Sequence, residues 1–258
     1  MLLRHGETEW SRSGQHTSTT DLDLTDDGED QARLVALTLR HLGLQDPIVF
    51  SSPRRRALRT AELAGLTVDE VTPLLAEWDY GEYEGLTTHQ IRTETPGWLL
   101  WTHGCPGGES VDRVSVRADR AVGLALDHMV DRDVVFVGHG HFSRSIVTRW
   151  VEQPLREGAR YGFTPASVSV CGFEYGLRQL KSLGLTAHRE PVSAEWAPNR
   201  PSCWLARAAW CSVTASPPAT GIRPRPPPRF AAVMPESSWA RCLLTSRLRR
   251  LCIPRGRC

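Results

Sequence analysis

The feature that most restricts the fold is a short apolar run at residues 133–137 (Asp-Val-Val-Phe-Val), which leads directly into Gly-His-Gly at 138–140. A continuous apolar run of this length, ended by turn residues, predicts a strand that is buried on both faces. Residues 143–151 then have the apolar spacing of a helix. A buried strand that passes through a tight turn into a helix is typical of a sheet covered by helices, so this segment predicts an α/β protein.

The same alternation of strand and helix patterns extends through residues 1–190. Helices are predicted from Thr25, which is a suitable N-cap followed by acidic residues, from about Arg54, and over residues 114–129. Short apolar runs predict the remaining strands, at residues 2–4, 47–51, 167–173 and 179–185. This order of elements favours a layered α/β sheet.

The last quarter of the chain has a different composition. Residues 195–258 contain eleven arginines, no lysine and two glutamates, together with ten of the eighteen prolines. Prolines at 217–218 and 224–228 interrupt both helices and central strands. We therefore expect residues 191–258 to be a disordered Arg/Pro/Cys-rich tail beside a domain at 1–190. Because this composition is typical of GC-rich DNA read out of frame, a frameshift after about residue 190 is our hypothesis for its origin.

Composition also bears on location and partners. No stretch approaches the roughly 18 consecutive apolar residues of a membrane span, and the first six residues hold no signal-peptide core, so we expect a cytoplasmic protein. Cys105 and Cys171 are the only cysteines before residue 190, which suits a reducing compartment. The tail cysteines lack the paired spacing of a zinc site. The tail arginines could neutralise nucleic-acid phosphates, but no recognised binding motif accompanies them.

Three segments place histidine or arginine directly after predicted strands, where open α/β sheets bind their ligands. His5 follows the first strand, the three arginines at 54–56 follow the second, and Gly-His-Gly at 138–140 follows the buried strand. Arginines at a helix start suit a phosphate group, because free N–H groups and guanidinium groups meet there. Taken singly, each segment has an ordinary alternative: a core or capping histidine, a solvated basic helix face, and a tight turn or a metal pair with His141.

In combination, these segments resemble the histidine phosphatase superfamily, the phosphoglycerate mutase-like proteins, over roughly residues 1–190. Five segments occur in the order of that family: Arg-His-Gly-Glu-Thr at 4–8, Ser-Ser-Pro-x-x-Arg-Ala-x-x-Thr-Ala at 51–61, Ala-Glu-Trp-Asp-Tyr-Gly-Glu-Tyr-Glu-Gly-Leu at 76–86, Gly-Gly-Glu-Ser at 107–110, and Gly-His-Gly at 138–140. The resemblance implies a three-layer sandwich in which helices flank a mostly parallel sheet.

The resemblance also implies catalytic roles. His5 matches the nucleophile, which takes the phosphoryl group and becomes a phosphohistidine. Arg4, Arg56 and His139 match the pocket for the phosphoryl oxygens, where side chains position the group and stabilise its charge without a metal ion. Glu77 matches the proton donor to the leaving oxygen, and then the base for the incoming water.

Five further residues are predicted to contact the substrate: Ser11, Thr17, Ser18, Tyr80 and Gly140. Thr17 and the backbone near Ser18 match a secondary substrate loop, in which relatives usually have glycine at the second position. Ser11 stands where many relatives carry a phosphate-contacting asparagine, so a hydroxyl replaces an amide donor. Relatives also have a fuller first strand, and we therefore expect the native chain to start upstream of Met1.

The implied function is that of a metal-independent phosphomonoesterase of the acid phosphatase type, which hydrolyses small phosphate esters through a phosphohistidine. A phosphoglycerate mutase is the alternative within the family, and a nucleic-acid-binding protein that acts through the basic tail is a third. No cofactor and no metal ion are expected. The expected partner is a small-molecule phosphate ester, with neither nucleic acid nor membrane; relatives are often dimers, so a homodimer is considered, although no residue of the chain indicates one.

The phosphatase is favoured over the mutase by the segment after Glu-x-x-Tyr-Gly. Mutases of the family have a long basic insertion there, whereas only 23 residues lie between Leu86 and Ser110, with Arg92 as their sole lysine or arginine. Four other side chains occupy this segment: Trp98, Trp101, His103 and Cys105. As a pocket wall they would favour a less highly charged ester, and as ordinary core or rim residues they would not touch the substrate.

Overall fold

A computed structural model describes residues 1–187 of the chain, and the tail predicted at 191–258 lies outside the described residues. The strands are β1 (Leu2–Arg4), β2 (Ile48–Ser51), β3 (Glu70–Val71), β4 (Val134–Gly138), β5 (Val168–Glu174) and β6 (Leu177–Leu185). The α-helices are α1 (Glu9–Ser13), α2 (Asp26–Leu42), α3 (Arg55–Leu63), α4 (Thr88–Glu94), α5 (Leu100–His103), α6 (Val111–His128) and α7 (Gly140–Trp150). None of these helices is long and apolar enough to cross a membrane.

The six strands form one sheet in the order β3-β2-β4-β1-β5-β6. The first four strands of this order are parallel, and β5 and β6 are added antiparallel to their neighbours. The register pairs Arg4 with Gly138, and Ser51 with Val137, so that β1, β4 and β2 end at nearly the same level. The residues that follow these three strands therefore leave the sheet along one edge.

Alternate side chains of β4 enter separate hydrophobic cores on the two faces of the sheet. Val134 and Phe136 belong to the core that includes the apolar sides of α6 and α7. Val135 and Val137 belong to the core that includes apolar residues of α2 and α3. A strand with period-two side chains that are buried on both faces requires a helical layer on each side. The predicted three-layer α/β sandwich is confirmed.

Local signals placed some helix starts correctly and missed two, since α6 begins at Val111, three residues before the predicted start at 114. Thr25 caps α2 as predicted, since its hydroxyl accepts the N–H of Gly28 at 3.0 Å. In contrast, α7 begins at Gly140, three residues before the predicted start at 143. The residue that precedes it, His139, makes no side-chain cap. The early start has another cause, a carboxylate from a distant segment, which is described with the site below.

Candidate active site

A pocket of about 220 Å³ opens at the carboxyl edge of the parallel strands. Seven of the ten predicted site residues line it: Arg4, His5, Ser11, Thr17, Glu77, Tyr80 and Gly140. The other three, Ser18, Arg56 and His139, are buried and do not line the pocket. The structure thus brings the predicted nucleophile and the predicted proton donor together from segments that lie far apart in the chain.

His5 is held in one orientation and one protonation state. Its N–H donates to Gly138 O at 2.9 Å, and its carbonyl accepts from Ala166, which ties the residue to β4 and to the turn before β5. Its Nδ1 lies 2.7 Å from Gly6 O. Because a carbonyl oxygen only accepts, Nδ1 carries the proton and Nε2 carries the lone pair. Burial, followed by the charges of Arg4 and Arg56, holds the pKa of His5 well below its usual value of 6.5, so the ring is neutral.

Arg4 contributes a cation to the pocket with an unused donor. Its Nη1 donates to the carbonyl of Phe163. Its Nε is buried and has no hydrogen-bond partner among residues 1–187. Gly140 makes room for this guanidinium, since a Cβ at that position would lie 3.3 Å from Arg4 Cζ. Buried donors are nearly always paired in proteins, so the Nε of Arg4 suits an oxygen of a bound ligand.

The loop at residues 17–20 is clamped between two side chains of opposite charge. Arg56, which is fully buried, donates from Nη1 to Thr20 O at 2.9 Å, and from Nη2 to the carbonyls of Thr17 and Ser18 at 3.3 Å. On the other side, the carboxylate of Glu84 accepts the N–H groups of Ser18 and Thr20 at 2.9 Å. The backbone N–H of Ser18 is therefore already engaged, and no local sequence pattern indicates this role of Glu84.

His139 packs against the predicted nucleophile His5 and does not line the pocket. Arg56 Nε donates to His139 Nδ1 at 3.3 Å, which leaves the ring proton on Nε2, where it reaches Ser52 Oγ at 2.7 Å. Burial, and then the charge of Arg56, lower the pKa of His139 well below 6.5. The rings of His5 and His139 meet at a centroid distance of 5.2 Å and an angle of 62°. A direct phosphoryl contact by Arg56 or His139 stays a prediction, because both side chains bond to protein groups.

Glu77 caps α7 and faces the pocket. Its Oε1 accepts the N–H groups of Trp78 at 2.8 Å and of Phe142 at 2.7 Å, and its Oε2 accepts that of His141 at 3.0 Å. The last two donors belong to the first turn of α7, which explains why that helix starts at Gly140. A carboxylate oxygen can accept about two hydrogen bonds, so Oε2 keeps a position for a proton. The side chain is only 7% exposed and its orientation is fixed.

Ser11 and Thr17 line the pocket, but their hydroxyl groups bond to the local backbone. Ser11 is part of a capping box at the start of α1: its Oγ accepts the N–H of Thr8 at 2.9 Å and donates to Thr8 O at 3.0 Å. The Oγ1 of Thr17 donates to Gln15 O at 3.2 Å. Their contacts with a substrate therefore stay predictions.

The pocket lining also contains a neutral polar cluster whose members come from three separate segments of the chain. Tyr80 Oη and His141 Nδ1 share a hydrogen bond of 2.6 Å, and the ring of His16 lies 4.6 Å from that of Tyr80. Burial lowers the pKa of His16 to about 4 and that of His141 well below 6.5. Burial and the charge of Glu77 raise the pKa of Tyr80. All three groups are thus neutral near pH 7 and can exchange hydrogen bonds with a ligand.

The structure also shows where four side chains of the segment between Leu86 and Ser110 lie. Trp98, Trp101 and Cys105 belong to the hydrophobic core, and His103 is exposed, so none of the four lines the pocket. Of the two interpretations left open, a pocket wall or ordinary core and rim residues, the second is confirmed. Among the described residues, no group of three or more His, Cys, Asp or Glu side chains could hold a metal ion.

The sequence model of the histidine phosphatase superfamily (branch 1) matches residues 1–186. The chain belongs to this family, as its five motifs indicated. An acid phosphatase of Mycobacterium tuberculosis is 63% identical over 194 residues, which cover 75% of this chain and 96% of that protein.

Solved structures agree with the sequence comparison. The product of a Mycobacterium tuberculosis open reading frame superposes with a TM-score of 0.72 at 64% identity, covering 72% of this chain and 97% of that one. A mycobacterial glucosyl-3-phosphoglycerate phosphatase in complex with VO3 superposes with a TM-score of 0.63 at 28% identity, covering 72% and 98%.

Proposed function

We propose that this chain is a metal-independent phosphomonoesterase of the acid phosphatase type, which hydrolyses small phosphate esters through a phosphohistidine at His5. The state of His5 carries the proposal: a buried, neutral imidazole whose Nε2 keeps its lone pair beside a cationic pocket. A neutral imidazole is a nucleophile, and a lowered pKa keeps it so in mildly acidic solution. The 63% identical acid phosphatase supports the same chemistry.

In the first half of the reaction, His5 Nε2 attacks the phosphorus of the ester. The P–N bond forms while the bond from phosphorus to the ester oxygen breaks. A proton on Glu77 passes to the leaving oxygen, so the alcohol departs neutral. Arg4 stabilises the charge on the phosphoryl oxygens, and its unpaired Nε is the donor best suited to them.

In the second half, a water molecule attacks the phosphohistidine from the side that the alcohol has left. Glu77, now ionised, accepts a proton from this water as the P–N bond breaks. Inorganic phosphate leaves, the lone pair returns to Nε2, and Glu77 is protonated for the next cycle. The backbone bonds that fix the Glu77 carboxylate keep one group in place for both proton transfers.

The test is replacement of the nucleophile. His5→Ala is expected to lower the hydrolysis of p-nitrophenyl phosphate roughly a thousandfold or more, because the covalent route is lost. Rapid-quench experiments with a radiolabelled ester should show acid-labile protein phosphate in the wild type and none in the variant. His89→Ala, at an exposed position on α4, is the control and should retain both signals. His5→Ala activity within tenfold of the wild type would contradict the proposal.

The mutase alternative is tested on the same protein. The segment at 87–109 contributes only Thr88 to the pocket lining, and its single arginine, Arg92, bonds to Trp98 O away from the pocket. A mutase must protect its phosphohistidine from water, and the described wall contains no basic lid from this segment. With 3-phosphoglycerate, release of inorganic phosphate should exceed formation of 2-phosphoglycerate, with or without 2,3-bisphosphoglycerate. Faster formation of 2-phosphoglycerate would establish the mutase.

A further inference from the structure

The pocket has a second cation, Arg144, which the mechanism above does not use. Arg144 lies on α7, four residues after Gly140. Both residues line the pocket, because positions four apart share one face of a helix. His141 and Glu77 line the same pocket. The pocket therefore carries one guanidinium from β1 and another from α7.

The Arg144 guanidinium is fixed by its surroundings. Its Nε donates to Gly158 O and its Nη2 to Ala159 O, both at 2.9 Å, and its Cζ lies 4.8 Å from the centre of the Trp101 ring. Trp101 itself packs against Gly158 so closely that a Cβ there would lie 2.2 Å from the indole. A planar cation bound along one edge and stacked on a ring has little rotational freedom to lose when a ligand binds.

The opposite edge of this guanidinium is unused. Arginine has five N–H donors, and two of them bond to the carbonyls of Gly158 and Ala159. The Nη1 of Arg144 has no acceptor among residues 1–187, and no carboxylate there pairs with Arg144 within salt-bridge distance. Burial lowers the pKa of Arg144, with Glu77 opposing this effect. The Arg144 side chain is half-buried, and with no carboxylate within salt-bridge distance among these residues its charge favours an anion in the pocket.

We infer that Arg144 is a specificity-determining residue that binds a carboxylate of the substrate, so that the pocket selects small phosphate esters of hydroxy acids. The free edge presents parallel N–H bonds from Nη1 and Nη2, and a planar carboxylate matches such a pair. The neutral cluster of Tyr80, His141 and His16 forms hydrogen bonds with hydroxyl groups of the ester, which lie between its phosphoryl group and its carboxylate. A pocket of about 220 Å³ limits the ester to a short carbon chain.

This inference rests on the proposed function, and its test separates the two. Glycerol 3-phosphate and 3-phosphoglycerate have the same chain length. The first has a hydroxymethyl group at the position where the second has a carboxylate. For the wild type, kcat/KM should be higher for 3-phosphoglycerate by about tenfold or more. Arg144→Met, which keeps the apolar stem on Trp101, should remove this preference, mainly through KM. The ratio between the two esters is the readout, because a folding defect lowers both rates alike.

Arg149→Met is the matched control, since Arg149 lies on the same helix and pairs with Asp119 on the surface. It should keep the wild-type ratio. An Arg144→Met ratio equal to that of the wild type would overturn the inference, as would a wild type that hydrolyses p-nitrophenyl phosphate but shows no preference. The inference would also be overturned if Arg144→Met lowered activity only toward fructose 1,6-bisphosphate and not toward fructose 6-phosphate. The second anion that Arg144 binds would then be a phosphoryl group. Failure of the wild type on p-nitrophenyl phosphate would instead reject the proposed function.

Discussion

Acid should destabilise the folded protein through His16. This side chain is 8% exposed, its Nε2 lies 3.3 Å from Thr88 Oγ1, and its ring packs 4.6 Å from Tyr80 and 5.7 Å from Trp98. Burial lowers its pKa from 6.5 to about 4, although the charge of Glu84 opposes the shift. The folded protein therefore keeps His16 neutral at a pH at which the unfolded chain already binds a proton there.

The sign and the size of the change in the free energy of unfolding follow from proton linkage. A group whose folded pKa lies below its unfolded value binds fewer protons when folded, so stability is full above about pH 6.5 and is lost as the pH falls toward 4. With these two values, the contribution of His16 to the free energy of unfolding is lower at pH 5 than at pH 7 by about 2 kcal/mol. Such a loss is a large fraction of the stability of a typical domain.

The measurement is urea unfolding at pH 7 and pH 5, compared between the wild type and His16→Phe, which keeps an aromatic ring in the site. The variant should lose less free energy of unfolding over this interval, by about 2 kcal/mol. The same substitution at His89, exposed on α4, is the control and should follow the wild type. If His16→Phe lost as much free energy between the two pH values as the wild type, the pKa of His16 would not be lowered in the folded protein and the reasoning would fail.

Glu77→Gln should slow the hydrolysis of sugar phosphates at least about a hundredfold and that of p-nitrophenyl phosphate far less, since an aryl oxygen leaves without a proton. Equal slowing of the two reactions in steady-state kinetics would remove Glu77 from the proton-donor role. Gly158→Ala should lower the free energy of unfolding by about 1–3 kcal/mol, because the new Cβ would lie 2.2 Å from Trp101. Gly162→Ala, where the new Cβ meets open space, should lower it less, and equal melting temperatures for the two variants would refute this packing. EDTA should leave hydrolysis unchanged, because Arg4 supplies the positive charge; activity restored by a divalent cation after dialysis would show otherwise.

The sequence predicted the sheet and the inner half of the pocket because their determinants are local. Each of β1, β2 and β4 is a short apolar run followed at once by functional side chains, and parallel strands bring such ends to one edge. The sequence alone therefore places His5 near Arg4 and Gly140. The position of Glu77 could be inferred only from the family resemblance, since its segment is not attached to a strand end.

The outer half of the pocket depends on contacts between distant segments, which local patterns do not encode. Glu84 clamps a loop from 64 and 66 positions away in the chain, and Glu77 caps α7 from 64 positions away. Hydrophobicity left open whether Trp98 and Trp101 form a pocket wall or belong to the core, because it does not specify which surface a large ring covers, and the structure buries both in the core. Arg144 had a usable signal in its spacing of four from Gly140, which indicates a shared helix face once α7 is known to begin at Gly140.

The attachment of His5 has a consequence for how the protein is made. Residue 5 leaves the ribosome long before Gly138 and Ala166, which fix its backbone, and β1 pairs only with β4 and β5 among the described strands. Contacts between residues so far apart in the chain form late and slow the folding of the domain. A nascent chain therefore carries its proposed nucleophile without the strands that orient it until β5 has emerged. Phosphoryl transfer should begin only with the completed sheet, which protects cellular phosphate esters from reaction with partly folded chains.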